Sequence, residues 1–346
     1  MATEKEVLKA LSTVIDPDLG KDLVTLNMIE DLKVEGKNVS FTVVLTTPAC
    51  PLRNYFEATC RSVVLERTNA EHVDVRMTAK VVEKKQVTLD KNQFKHVIAV
   101  GSGKGGVGKS TVAVAIAEFL ALEGAKVGLL DADIYGPNIP RMLGVDGLEP
   151  VEEGQKLKPA EVDGMKVLSI GFFVEQGQPL IWRGPMLHQA IQQFLTDFDW
   201  GNLDYLIVDM PPGTGDVQLS LSQILPISGA VVVTTPQQVA VDDAARAIAM
   251  FKKMNIPVLG VVENMAYLEL PDGSKMAVFG EGGGEHLANR EGVPFLGRIP
   301  LDPQIGQSGD IGTPLVTLAS NSAAVEALRK ISQALAAESS KAALGA

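Results

Sequence analysis

The chain of 346 residues carries 31 Lys and Arg against 42 Asp and Glu, a formal charge of −11, which speaks against a nucleic-acid partner because a phosphate backbone is neutralised by clustered cations. Its hydrophobic content of 46% is enough to fill one large core and a second, smaller one. No apolar run approaches the roughly 18 residues that span a bilayer and the first residues lack a basic and then apolar leader, so we expect a cytoplasmic protein with no membrane partner.

Residues 1–82 read as a small α+β domain. The expected elements are a helix over 4–15, a strand pair over 29–45, a helix over 52–67 and a strand over 73–82. Alternation in Val39-Ser-Phe-Thr-Val-Val-Leu45 marks the strands. Leu52, Phe56, Cys60, Val63 and Val64 fall on one face of the second helix. Polar residues over 83–95 then break the pattern and are expected to form a linker.

From residue 96 to 346 the pattern changes to short, wholly apolar runs separated by helical stretches, as expected of an α/β domain with a doubly wound, mostly parallel sheet. The runs are His96-Val-Ile-Ala-Val100, Lys126-Val-Gly-Leu-Leu130, Leu206-Ile-Val208, Ala230-Val-Val-Val-Thr234, Val258-Leu-Gly-Val-Val262 and Phe295-Leu-Gly297. An Ala-rich helix fading into a loose end is expected over 321–346. Ligands of such sheets bind beyond the carboxyl ends of the strands, and each motif below follows one of these runs.

Gly103-Lys-Gly-Gly-Val-Gly-Lys-Ser-Thr111 follows the first run and precedes a helix expected to open near Ser110, the setting that makes it a phosphate-binding loop. The glycines Gly103, Gly105, Gly106 and Gly108, with Val107 between the last two, let backbone amides turn toward an anion. Lys109 is placed for the β- and γ-phosphates of ATP, Ser110 for Mg²⁺ and Thr111 for the α-phosphate. Lys104 is an additional cation within the loop.

Leu129-Leu-Asp-Ala-Asp133 ends a strand run with two carboxylates. We assign Asp133 to orienting water against the γ-phosphate and Asp131 to the metal side. Leu206-Ile-Val-Asp209 is an apolar strand ending in a second Mg²⁺-directed Asp, and the Gly- and Pro-rich stretch after it suits a loop that senses the γ-phosphate. Asn264 follows another strand run and carries the donor and acceptor needed to read an adenine edge.

The two cysteines, Cys50 and Cys60, are too few for a disulfide framework. Cys50 stands just before a helix, where the dipole favours a thiolate, and is expected to be the chemically active thiol of the two. Cys60 lies on the apolar face of that helix. About 13 Å of helix at 1.5 Å per residue separates them, too far to share one small cluster.

Together these residues resemble the Mrp/ApbC family of P-loop ATPases, iron–sulfur cluster carriers related to MinD and ParA. The motifs are the loop, Asp131-Ala-Asp-Ile-Tyr-Gly-Pro-Asn138, Trp182-Arg-Gly-Pro-Met186, Asp209-Met-Pro-Pro-Gly-Thr-Gly-Asp216, Thr234-Thr-Pro-Gln237, Val262-Glu-Asn-Met265 and Phe279-Gly-Glu-Gly-Gly-Gly284. Residues 1–82, with Asp16-Pro-Asp-Leu19 and Thr46-Thr-Pro-Ala-Cys-Pro51, resemble the SufT/PaaD-type domain often fused to that family. The resemblance implies a homodimer with Mg·ATP at the interface, slow hydrolysis, Lys104 reaching the other subunit's nucleotide, and delivery of clusters to apoprotein clients. Many members carry Cys-Pro-x-Cys shortly after the Asn-Met segment, two thiolates per chain that hold a cluster across the dimer. Here Leu270 and Gly273 stand in their place, so the cluster that the resemblance implies leaves Cys50 as the candidate iron–sulfur ligand. A nucleotide-gated assembly factor carrying no cluster is therefore the main alternative, ahead of a positioning ATPase, for which the tail is too poor in cations.

Overall fold

The structure is a computed structural model and describes residues 3–17, 20–47, 50–80, 93–146, 151–153, 156–173, 184–318 and 322–345. The chain divides into two compact units, Met1–Glu83 with Ser340–Ala346, and Lys84–Ser339. The motif residues Asp18, Leu19, Pro48, Ala49, Trp182 and Arg183, and most of the expected linker (83–92), lie outside the described residues.

In the first unit α1 (Glu4–Leu11) opens with a capping box. The Thr3 hydroxyl accepts from the Glu6 amide, and the Glu6 carboxylate accepts from the Thr3 amide. The helix stops four residues short of expectation, where the hydroxyls of Ser12 and Thr13 donate to the carbonyls of Lys9 and Ala10 and satisfy its last turn. β1 (Ile29–Glu35) and β2 (Asn38–Leu45) form an antiparallel hairpin, and α2 (Arg53–Arg67) returns the chain to β3 (His72–Ala79), parallel to β2. Phe56, Cys60 and Val64 of α2 are buried at four-residue spacing and share a core with Val39, Phe41 and Val43 of β2.

The second unit begins with β4 (Phe94–Ser102), which starts inside the segment expected as linker, then α3 (Lys109–Leu122), β5 (Val127–Asp131) and α4 (Ile139–Met142). A short antiparallel pair follows, β6 (Val151–Glu153) with β7 (Lys156–Lys158), and then β8 (Ala160–Val162), β9 (Met165–Ser169) and α5 (Gly184–Thr196). The chain continues through β10 (Leu203–Asp209), α6 (Asp216–Ile224), β11 (Gly229–Thr234), α7 (Gln238–Lys253) and β12 (Val258–Glu263). After the small hairpin β13 (Leu268–Glu269) and β14 (Lys275–Met276) come α8 (Gly283–Glu291), β15 (Phe295–Arg298), α9 (Pro303–Ile311), α10 (Leu315–Leu318) and α11 (Ala323–Leu344), whose residues from Ser340 on count with the first unit.

The large sheet has the order β15-β12-β11-β4-β10-β5-β9-β8, parallel throughout except for β8 at the edge. This is the doubly wound sheet expected. All six anticipated runs are strands. Val97 to Val100 of β4 and Leu206 to Val208 of β10 are essentially inaccessible, as two-sided burial requires. β8 and β9 are not among the expected runs. Their turn is Asp163-Gly164, both at positive φ (+48° and +79°), a tight hairpin signal that was present in the sequence. The expected loose end is instead a continuous helix to Leu344, with Ala324, Leu328, Ile331 and Leu335 buried along one face.

Candidate functional site

β4 is central in the sheet, and the loop at its carboxyl end wraps back into α3. Gly106 and Gly108 take φ of +78° and +83°, which side chains other than glycine rarely adopt. At Gly103 the constraint is space: a Cβ there would lie 2.0 Å from the backbone carbon of Asp243 in α7. α3 opens at Lys109 with no side-chain cap, so no side chain competes with an anion for its first amides.

A cleft of about 510 Å³ lies over this loop, lined by Lys104, Gly105, Gly106, Gly108, Lys109, Ser110 and Thr111 together with Asp133, Tyr135, Arg141 and residues of α9. The turns that end α4 and α9 meet closely: a Cβ on Gly312 would lie 2.5 Å from Gly144 Cα. Arg141 and the α9 wall, Ile305, Gly306, Gly309 and Asp310, were not anticipated. They come from segments with no local motif.

Behind the cleft surface the charged residues converge. Lys109 Nζ donates to Asp209 Oδ1 at 2.6 Å and lies 3.3 Å from Asp133 Oδ2, while the Ser110 hydroxyl donates to Asp209 Oδ2 at 2.6 Å. Asp209 closes β10 directly beside Asp131 at the end of β5. Burial raises the Asp131 carboxyl above its ordinary value, with the charge of Asp209 adding to the shift and the Ser169 hydroxyl opposing it. Asp209 is also raised by burial, against the pull of Lys109. Asp131 does not face the cleft: its oxygens accept from the amides of Asp133 and Ile139 and from Ser169 Oγ.

This donor set fits Mg²⁺ brought in with a nucleotide. It is all oxygen, rich in carboxylate, and includes a hydroxyl beside the open amides. Among the described residues no trio of His, Cys, Asp or Glu forms a ready-made metal cage, so a cation here would need phosphate oxygens and water to complete its shell.

Asn264, just past β12, is buried, and its amide donates to the Val107 carbonyl at 2.9 Å. Beside it Glu263 accepts from the Gly284 amide at the start of α8 and pairs with Arg298 at 3.4 Å, so the glycine-rich segment before α8 is anchored by the chain's own carboxylate. Where the resemblance places a cysteine pair, the chain makes the β13–β14 hairpin. Asp272 accepts from the amide and hydroxyl of Ser274, and Lys275 lies 4.2 Å from the centre of the Tyr267 ring. Cys60 is fully buried and burial pushes its thiol up to about 12. Cys50 is half-buried three residues before α2, which has no side-chain cap.

A glycine-rich loop between a buried parallel strand and an uncapped helix, with Lys, Ser and strand-end Asp residues gathered on it, defines a P-loop NTPase. Residues 93–336 match the family of NUBPL iron-transfer P-loop NTPases, and residues 4–89 match the iron–sulfur cluster assembly protein family. The chain belongs to that iron-transfer P-loop NTPase family. It is 49% identical to an iron–sulfur cluster carrier protein of Synechocystis, over 99% of this chain and all of the relative. A protein of the same name from Deinococcus radiodurans is 51% identical over 96% of this chain and 94% of its own length. Among solved structures, the nucleotide-binding protein of Archaeoglobus fulgidus in complex with ADP aligns with a TM-score of 0.57 and 40% identity, covering 63% of this chain and 87% of that one. No helix among the described residues is long and apolar enough to cross a membrane.

Proposed function

We propose that this protein is an ATP-binding and ATP-hydrolysing iron–sulfur cluster carrier of the cytoplasm, which works as a homodimer and delivers clusters to apoproteins. The observation that carries the reading is the Lys109–Asp209–Ser110 cluster against the uncapped start of α3, in a chain of the iron-transfer family. On binding, Lys109 leaves its carboxylate partners for the β- and γ-phosphates, and Ser110 and Asp209 serve the metal side, whereas Asp131, assigned to the metal from its strand-end position, instead holds the loop that carries Asp133. Mg²⁺, bound with the nucleotide, neutralises charge on the phosphates. Asp133 orients the attacking water, and Lys104 supplies charge to the nucleotide of the other subunit. With its amide N–H on Val107, Asn264 keeps its oxygen to accept from the adenine amino group.

The cargo is an iron–sulfur cluster. Neither cysteine lies in the second unit and Cys60 is a buried thiol, so Cys50 is the residue we assign to it, with the remaining ligands coming from a second subunit, a client or a small thiol. The hairpin in place of the cysteine pair favours one second reading, an assembly factor that grips clients under ATP control without holding the cluster. Anaerobic reconstitution with iron and sulfide, followed by transfer to an apo-ferredoxin, separates the two. Bound iron with a visible absorption band and activation of the acceptor support the carrier; ATP hydrolysis with no bound iron supports the assembly factor.

A further inference from the structure

Ser169 belongs to none of the motifs and does not line the cleft. It ends β9, directly opposite Asp131 in the ladder with β5, and is wholly buried. Its hydroxyl accepts from the Gly171 amide and donates to Asp131 Oδ2, each at 2.9 Å. A serine hydroxyl has one proton, and here it is directed to the Asp131 carboxylate.

That carboxylate holds both ends of the loop between β5 and α4. Oδ1 accepts from the Asp133 amide at 3.1 Å and Oδ2 from the Ile139 amide at 3.3 Å. Between these ties, Asp133 accepts from the Tyr135 amide at 3.1 Å and turns its other oxygen toward Lys109. Orientation therefore passes from β9 through Asp131 to Asp133, a carboxylate that lines the cleft. With the Ser169 donor removed, Oδ2 keeps only the longer bond to Ile139, and the carboxylate is held less firmly about its terminal torsion by the two remaining amides.

We propose that Ser169 is a positioning residue for ATP hydrolysis: it locks the Asp131 carboxylate, and through it the loop that presents Asp133 to the attacking water. The proposal rests on the reading of Asp133 given above. The phosphate loop joins β4 to α3, packs against α7 at Gly103 and takes no bond from Ser169, so nucleotide affinity is expected to stand while turnover falls.

The test compares Ser169→Ala, Ser169→Thr and Asp133→Ala with the unaltered full chain by steady-state ATP hydrolysis, calorimetric titration with Mg·ATP and thermal unfolding. Ser169→Ala is expected to lower kcat by about tenfold, as small misplacements of catalytic groups do, with KM and Kd within about twofold. Ser169→Thr keeps the hydroxyl and recovers most of the rate. Three results overturn the proposal: undiminished kcat in Ser169→Ala, a loss of affinity that matches the loss of rate, or Thr behaving as Ala does. If Asp133→Ala itself keeps full activity, the reading of Asp133 falls and this inference with it. An inactive Asp133→Ala beside a fully active Ser169→Ala removes the inference alone.

Discussion

The side-chain amide of Asn264 donates to the carbonyl oxygen of Val107 at 2.9 Å, tying the end of β12 to the phosphate loop across 157 residues of sequence. The contact also explains Gly108, since a Cβ there would lie 2.1 Å from Asn264 Nδ2. Asn264→Ala removes both this tie and the acceptor assigned to adenine. The expected outcome is ATP affinity reduced by about tenfold, roughly 1.4 kcal/mol, with a narrower preference for ATP over GTP. Unchanged affinity and preference in calorimetric titrations with the two nucleotides would remove the residue from the site.

Lys109 has only a few per cent of its surface exposed, between Asp209 and Asp133. Lys109→Ala is expected to abolish tight Mg·ATP binding while far-UV circular dichroism stays native. The fold should nonetheless melt lower, because buried carboxylates lose their counter-charge. Retained ATP affinity would contradict the placement of this lysine on the β- and γ-phosphates.

Lys104→Ala and Asp133→Ala are each expected to bind ATP and hydrolyse it slowly, one lacking charge on the transferring phosphoryl group and the other lacking the water-orienting carboxylate. Mixed in equal amounts they should recover part of the activity, since a heterodimer has one site with both groups intact. If mixed dimers form, as shown by differently tagged subunits, and no activity returns, Lys104 does not act across the interface.

Burial pushes the carboxyl of Glu118 in α3 up to about 7 from an ordinary 4.5, with Asp163 adding to the shift and the backbone at Leu315 opposing it. A carboxyl raised in the folded state makes a contribution to stability that is fully present below pH 4.5 and is lost as the pH rises through about 7. Glu118→Gln never ionises. Its melting temperature relative to the unaltered protein should therefore climb steadily between these limits. A difference that stays flat across that range would mean Glu118 ionises in the fold as it does in the unfolded chain.

Cys50 should alkylate rapidly at neutral pH in the native protein and Cys60 slowly, since Cys60 is inaccessible and its thiol is pushed up to about 12 by burial. Cys50→Ser should then lose the iron taken up on reconstitution. Mass spectrometry of the labelled peptides and iron counting decide the matter, and a full iron complement in Cys50→Ser moves the assembly-factor reading ahead.

What the sequence determined by itself was whatever is local. The phosphate loop is a continuous stretch whose glycines must take positive φ or admit a close neighbour, and the strands β4, β10, β11 and β12 are apolar because both faces are buried. Loop, sheet class and the strand-end positions of Asp131, Asp209 and Asn264 were therefore legible. Only the tertiary structure decided what those residues touch. That Asp131 faces away from the cleft and holds the Asp133 loop depends on β9, a five-residue strand that periodicity alone did not reveal, coming into register with β5. The space that forces glycine at 103 belongs to the backbone of α7, and the wall of the cleft to α9, segments brought together by the order of strands in the sheet. Contacts between residues a hundred or more positions apart leave no spacing in the sequence, because their geometry is set by strand order and register.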